Sequence, residues 1–336
     1  MSADLLAHLA GRYAFDGTPM PHDLGAYHVP FDLMLGRDHV EARLQSAAVG
    51  GERVALIADS GTGKSSVVRY VLGPDAPDVA PVLVPVNALG EGAGTPDRVA
   101  DEILALFGRY ARQVTTEAVT GSSRRVTEAR RQSDGIGLDL HWLRVGRAKE
   151  VERQTATDSL ITLREKSEAI DLTLRGIPQD GLQPVVVFDD SDRWLAGGGR
   201  EMVPQFFREV VRWLTDFPTS VVVATHTRYL EPDGGRAANL LEFLDTRIEV
   251  PRVPSADMLG RVLERRITRN TEETPHSDAV LSDVVSDQAI EALFDHYSQN
   301  VPLRRALQTA HIALADAVSA GAQTIDASHI TAAQQA

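Results

Sequence analysis

The stretch Arg53-Val-Ala-Leu-Ile-Ala58-Asp-Ser60-Gly61-Thr62-Gly63-Lys64-Ser65-Ser66 constrains everything around it. An apolar run feeds a small glycine-bearing loop that ends in Gly-Lys-Ser. Val67, Val68, Val71 and Leu72 then recur at helical spacing. A strand, a loop and a helix in that order form a phosphate-binding loop, because consecutive backbone N–H groups and a helix N-terminus then converge on one anion. The pattern GxxxxGK[ST] is met except at its first position, where Ala58 replaces glycine. Ser60 to Ser66 are therefore expected to cradle the phosphates, with Lys64 reaching the terminal ones and the Ser65 hydroxyl ligating Mg²⁺.

A second apolar run, Pro184-Val-Val-Val-Phe188-Asp189-Asp190-Ser-Asp192-Arg193, fits a strand buried on both faces with two carboxylates at its C-terminal end. Paired with an upstream phosphate loop, it reads as a Walker B segment. Asp189 is expected to hold Mg²⁺ and Asp190 to polarise the attacking water, so the expected ligands are ATP and Mg²⁺. Thr219-Ser-Val-Val-Val-Ala-Thr225-His226 is a further buried strand ending in polar residues. In P-loop ATPases with a strand added between the phosphate-loop strand and the Walker B strand, such a residue senses the γ-phosphate; Thr225 is the first candidate and His226 the reserve. Pro81–Asn87 and Arg247–Val250 complete a parallel sheet, and from Ser255 onward the apolar spacing is helical throughout.

These segments divide the chain into an N-terminal arm (1–30), an α/β P-loop core (31–252) and an all-α lid (253–336), with the composition shifting at Pro251–Pro254. The arm either lies across the core or packs on a neighbouring subunit. A long segment, 110–180, interrupts the core and reads as helices plus a β-hairpin around Gly135–Lys149, with a helix from about Thr157 to Leu174. Between 105 and 155 the chain carries ten basic and six acidic residues, against a net charge of −13 for the whole. Arg124, Arg125, Arg130 and Arg131 in this insertion mark either a DNA contact or a solvated charged surface. The remaining composition excludes more than it assigns. There are no cysteines, hence no disulfide, thiolate nucleophile or Cys-ligated zinc. No apolar run reaches the length of a membrane span, and Met1–Leu6 lacks the basic start of a secretory signal. Cytoplasm is the expected compartment. The scarcity of lysine (Lys64, Lys149, Lys166) beside many arginines fits a GC-rich, bacterial coding genome.

Together the boxes resemble the AAA+ ATPases of the origin-recognition and archaeal-ATPase grouping and the related STAND NTPases, over about residues 30–90 and 180–336. Gly36-Arg37-Asp38, opening a helix some twenty residues before the phosphate loop, resembles the N-terminal box that lines the adenine pocket there; the plainer reading makes Asp38 an N-cap. Asp189-Asp190-Ser-Asp192-Arg193 also resembles the Asp-Asp-x-Asp-Arg box of KAP-type NTPases. Val301-Pro-Leu-Arg304-Arg305 resembles the lid's sensor 2 box, which places Arg304 at the nucleotide. The resemblance further implies an arginine finger acting on a neighbour's nucleotide, with Arg236 and Arg247 as candidates. It implies an oligomeric ATP-dependent switch acting on DNA or on a separately encoded protein, in transposition, replication or defence against mobile DNA. The alternative is a STAND-like signalling NTPase that retains nucleotide with little turnover. Asp190, where many AAA+ motors carry Glu, sets its carboxylate one methylene back and implies slow hydrolysis.

Overall fold

The computed structural model describes residues 2–19, 24–35, 39–73, 76, 78–85, 94–120, 162–177, 182–189, 202–229 and 244–336. The β-hairpin expected around Gly135–Lys149 and the four insertion arginines lie outside these residues, as do Gly36, Arg37, Asp38, Asp190 and Arg236.

Five segments form one parallel sheet: β1 (Arg53–Ile57), β2 (Val79–Pro85), β3 (Gln183–Asp189), β4 (Ser220–Thr225) and β5 (Thr246–Glu249). The strand order is β2-β3-β4-β1-β5, so β4 lies between the phosphate-loop strand and the Walker B strand. Strands β3 and β4 are buried on both faces, which explains their near-continuous apolar runs. Successive side chains still alternate in what they serve. Val185 and Val187 join Val222 and Ala224 in one core; Val186 and Phe188 join Val221 and Val223 in the other.

Helices α3 (Glu41–Val49) and α4 (Lys64–Val71) cover the first face. The second is covered by α5 (Pro96–Thr120), α6 (Leu163–Gly176) and α7, a continuous helical run made of Met202–Gln205, a π-helical segment Phe206–Val211 and Arg212–Leu214. The π segment was not legible in the apolar spacing. Helix α6 starts later than expected from Thr157, because Thr162 and Glu165 form a reciprocal capping box: the Glu165 N–H donates to Thr162 Oγ1 at 3.3 Å and the Thr162 N–H to Glu165 Oε2 at 2.8 Å. Lys166, buried beside it, ties α6 to Asp97 and Asp101 of α5 at 2.9 and 2.8 Å.

The C-terminal helices α8 (Ala256–Thr271), α9 (Asp287–Ser298), α10 (Leu303–Ser319) and α11 (Ala327–Gln335) enclose a separate core. Helix α8 begins where the proline-flanked linker ends, with the Ser255 side chain accepting from the Met258 N–H. The linker is fixed to the lid by the Val253 N–H, which donates to the Tyr297 hydroxyl at 2.8 Å, and by Arg252, whose guanidinium lies over the same ring.

The N-terminal segment is built into this lid. Leu5, Leu6 and Leu9 of α1 (Ser2–Gly11), followed by Ala14 and Phe15, are buried in the lid core of their own chain. Beyond α1 the chain reaches the core as well: Ser66 of α4 donates to the Leu24 carbonyl at 2.9 Å. Short helix α2 (Phe31–Leu35) then interlocks with α3. Glu41 Oε1 accepts from the Phe31 N–H and Oε2 from the Asp32 N–H, while Asp32 accepts from the His39, Val40 and Ala42 N–H groups. Asp32 thus caps α3 from outside the helix, accepting from the Ala42 N–H of its first turn and from the two residues before it; Asp38 lies outside the described residues.

Candidate nucleotide site

The loop after β1 is shaped by two glycines in left-handed backbone, Gly61 at φ +74° and Gly63 at φ +120°, a region that a side chain strains. Ala58 is not among the positive-φ residues, so its side chain costs nothing where the consensus has glycine. The N–H of Ala58 donates to the Thr225 carbonyl at 3.3 Å and continues the β1–β4 ladder into the loop. Gly63 caps α4, whose first residue is Lys64. Buried Lys64 donates from Nζ to the Ala58 carbonyl at 2.8 Å and the Asp59 carbonyl at 3.0 Å, spanning the mouth of the loop. Thr62 is buried and donates through Oγ1 to Asp59 O, and Ser60 is exposed. The Ser66 hydroxyl is engaged by Leu24, which leaves its backbone N–H as its means of meeting a phosphate.

Ser65 Oγ donates to Asp189 Oδ1 at 2.9 Å. These two residues come from the first turn of α4 and the last position of β3, and Asp189 is buried. A hydroxyl and a carboxylate meeting at the C-terminal edge of a parallel sheet are hard oxygen donors of the kind Mg²⁺ takes, completed by water and phosphate oxygens. The donor set fits the ion.

Thr225 ends β4 opposite Ile57 in the register of β1. It is fully buried, and its Oγ1 has no hydrogen-bond partner among the described residues. His226, next in the chain, accepts at Nδ1 from the Arg228 N–H at 3.1 Å, which fixes the proton on Nε2; that nitrogen lies 3.9 Å from Asp59 Oδ1 of the phosphate loop. Both sensor candidates therefore border the loop, Thr225 through its strand position and His226 through Asp59.

The lid reaches the same loop. The Arg304 N–H donates to the Gly61 carbonyl at 3.2 Å. A Cβ on Gly61 would stand 3.0 Å from Pro302 Cβ and 3.3 Å from Arg304 Cβ, so the glycine serves close approach as well as backbone conformation. Arg247 is placed differently. It lies on edge strand β5, separated from β3 by β1 and β4, half-exposed, with Nη2 3.1 Å from Glu249 Oε1. It is not brought to Ser65 or Asp189 of its own chain.

Two arginines with no signature in the sequence tie the arm to the lid. Arg266 of α8 is buried and donates through Nη1 to the Asp16 carbonyl at 2.7 Å and the Ala14 carbonyl at 3.3 Å, with its guanidinium 5.0 Å from the Tyr27 ring centre. Burial pushes its pKa down to about 10, with Tyr27 and Asp16 opposing, so it stays charged at neutral pH. Arg265 donates to the Ala26 carbonyl at 2.9 Å. In the sequence these arginines are indistinguishable from the surface arginines of the same helix. Their partners are backbone carbonyls some 240 residues away in the chain.

No protein-family model matches the chain, and no curated protein matches it in sequence. Its backbone is similar to two solved structures of the ORC2 protein of Aeropyrum pernix. One is described as ADPNP–ADP complexes, with 13% identity and a TM-score of 0.51, and the other as the ADP form, with 13% identity and a TM-score of 0.52. Each superposition covers 92% of this chain and 71% of that one. At this identity the likeness establishes the fold alone, a P-loop α/β core with a parallel sheet followed by an all-α lid.

Proposed function

We propose that the chain is an ATP-binding and ATP-hydrolysing molecular switch of AAA+ type. The observation that carries this reading is the meeting of Ser65 Oγ and Asp189 Oδ1 beside the Lys64 loop, with the lid turn at Arg304 bonded to Gly61 of the same loop. A. pernix ORC2, which shares the fold, was solved with ADPNP and ADP.

In this mechanism the loop from Ser60 to Ser66 binds the phosphate chain through backbone N–H groups at the N-terminus of α4. Lys64 exchanges its bonds to the Ala58 and Asp59 carbonyls for the terminal phosphates. Ser65 and Asp189 would hold Mg²⁺, which when bound neutralises charge building on the phosphate oxygens. Asp190 directs the attacking water and accepts its proton. The Thr225 hydroxyl, or His226 as the reserve, donates to the γ-phosphate or to that water. Arg304 approaches from the lid, and Gly36 and Arg37 border the adenine. Breaking the β–γ phosphoanhydride bond with water releases ADP and phosphate and removes the γ-phosphate contacts that hold lid and loop together.

The finer reading follows from the same parts. Homo-oligomers form with Arg236 or Arg247 of one subunit at the nucleotide of the next; for Arg247 this requires opening its pair with Glu249. The basic insertion at 110–155 engages DNA in the setting of replication, transposition or defence against mobile DNA, alongside a separately encoded protein. The switch works in the cytoplasm; among the described residues no helix is long and apolar enough to cross a membrane.

The test separates binding from chemistry. Lys64→Ala abolishes nucleotide affinity, whereas Asp190→Asn keeps ATP bound and stops phosphate release. Equal loss of binding in both removes Asp190 from the proposed role, and binding unaffected by Lys64→Ala rejects the nucleotide reading outright. Size measurements with ADP and with a non-hydrolysable ATP analogue test assembly: a chain that stays monomeric with both rejects it. DNA binding at low salt that is insensitive to replacing Arg124, Arg125, Arg130 and Arg131 rejects the insertion as the DNA surface.

A further inference from the structure

The lid touches the phosphate loop at the turn Pro302–Arg304, and that turn has a second neighbour. A Cβ placed on Gly17 would fall well inside van der Waals contact of the Arg304 carbonyl oxygen and 3.0 Å from Arg304 Cγ. The arm therefore presses against the back of the residue whose N–H is bonded to Gly61. The pressing segment is itself fixed to the lid. Ala14 and Phe15 are buried in the lid core, and Arg266 holds the carbonyls on either side of Phe15. Farther along, Gly25 lies against the backbone of Arg69 in α4, Leu24 receives Ser66, and His28 bonds Glu41 at 2.8 Å. One segment thus meets α8, the start of α10, and α4.

We infer that Gly17 and Arg266 are positioning residues for Arg304, and that the N-terminal segment is the gauge that sets how the lid seats on the phosphate loop. Three contacts in series carry the setting: Arg266 fixes residues 14 to 16, Gly17 bears on the Arg304 carbonyl, and the Arg304 N–H meets Gly61. Glycine is required at 17 for close approach. Its consequence for nucleotide retention rests on the functional reading above, whereas its consequence for lid geometry does not.

The absence of cysteine makes the geometry directly measurable. Spin labels on Val49→Cys and Val280→Cys, both about half-exposed, report the distance from α3 of the core to the lid in the full chain. Gly17→Ala is compared with Gly11→Ala, whose added Cβ meets nothing within 4 Å. The expected result is a narrow distance distribution in the parent and in Gly11→Ala, and a broadened or shifted one in Gly17→Ala, with circular dichroism unchanged. Arg266→Met behaves like Gly17→Ala, and Arg266→Lys, whose ammonium keeps N–H donors for the carbonyls but lacks the planar guanidinium, recovers part of the parent distribution. Affinity for a fluorescent ADP analogue falls about tenfold in Gly17→Ala, the scale of an ordinary coupling between two elements. An unchanged distribution in Gly17→Ala, or an equal change in Gly11→Ala, overturns the proposal. A parent chain that binds no nucleotide instead rejects the functional reading and leaves the distance comparison decisive for the gauge.

Discussion

Ser65 donates its hydroxyl to Asp189 Oδ1 at 2.9 Å, joining the helix that follows β1 to the end of a strand two places away in the sheet. In the proposed function these two oxygen donors would together hold Mg²⁺. Asp189→Ala is expected to leave ATP binding possible but independent of Mg²⁺. Titration calorimetry with and without the ion checks this: the parent gains at least about tenfold, as removal of a ligand or its partner typically costs, and the variant gains nothing.

Thr225 offers a cleaner separation of stability from chemistry. Its hydroxyl is buried and unpartnered among the described residues, so it costs desolvation without a compensating bond. Thr225→Val is nearly isosteric and is expected to leave unfolding free energy unchanged or raised by about 1 kcal/mol. Turnover falls at least about tenfold if the hydroxyl acts in the reaction. Denaturant unfolding and phosphate release on the same preparation decide the point, and a destabilised Val variant would show that the hydroxyl has a structural partner.

Asp32 provides the pH-dependent case. Burial pushes its carboxyl up, but N–H donors from Val40, Ala42 and His39, with Glu41, more than reverse this and hold it below its usual value of 3.8. A depressed pKa means the unfolded chain takes up the proton first as pH falls. The stabilisation is therefore complete above the ordinary carboxylate range and disappears as pH drops through the folded-state value. Asp32→Ala is expected to cost about 1–2 kcal/mol at pH 7, as loss of a cap does, with the difference closing as pH falls below the ordinary carboxylate range. Denaturant titrations at stepped pH follow it.

Two glycines isolate the lid contact. Gly51 and Gly61 have similar positive φ, +80° and +74°, but a Cβ on Gly51 meets nothing within 4 Å whereas one on Gly61 meets Pro302 and Arg304. Alanine at either position costs about 1 kcal/mol for the backbone. Gly61→Ala alone is expected to displace the lid as well, read as faster exchange of the Arg304 amide.

The parts of the site that follow from local chain order were legible in advance. Ser60–Ser66 and Asp189 announce themselves because a phosphate loop and a strand-end carboxylate each need a contiguous pattern. Thr225 followed from the apolar run before it. The residues that organise the lid were not legible, for a physical reason. Gly17, Arg265 and Arg266 act through backbone carbonyls or close backbone approach, which leave no complementary residue type to recognise at a distance. The same holds for Asp32, whose carboxylate meets N–H groups seven to ten positions further along the chain, beyond any fixed-offset motif. The arm's destination was open for a related reason: an amphipathic helix shows that it needs an apolar partner and not which one.

The placement of Leu5, Leu6, Leu9 and Phe15 inside the lid has a consequence for biogenesis. On the ribosome these side chains emerge well before the helices that receive them, α8 to α11. His8 meets the Asn270 carbonyl across 262 positions of chain. Closure of the lid is thus a long-range, late event, and the sheet has to assemble while its leading leucines are still exposed. A chain of this design leans on whatever shields nascent apolar segments during synthesis. Its yield is expected to fall when translation stalls anywhere between β5 and α10.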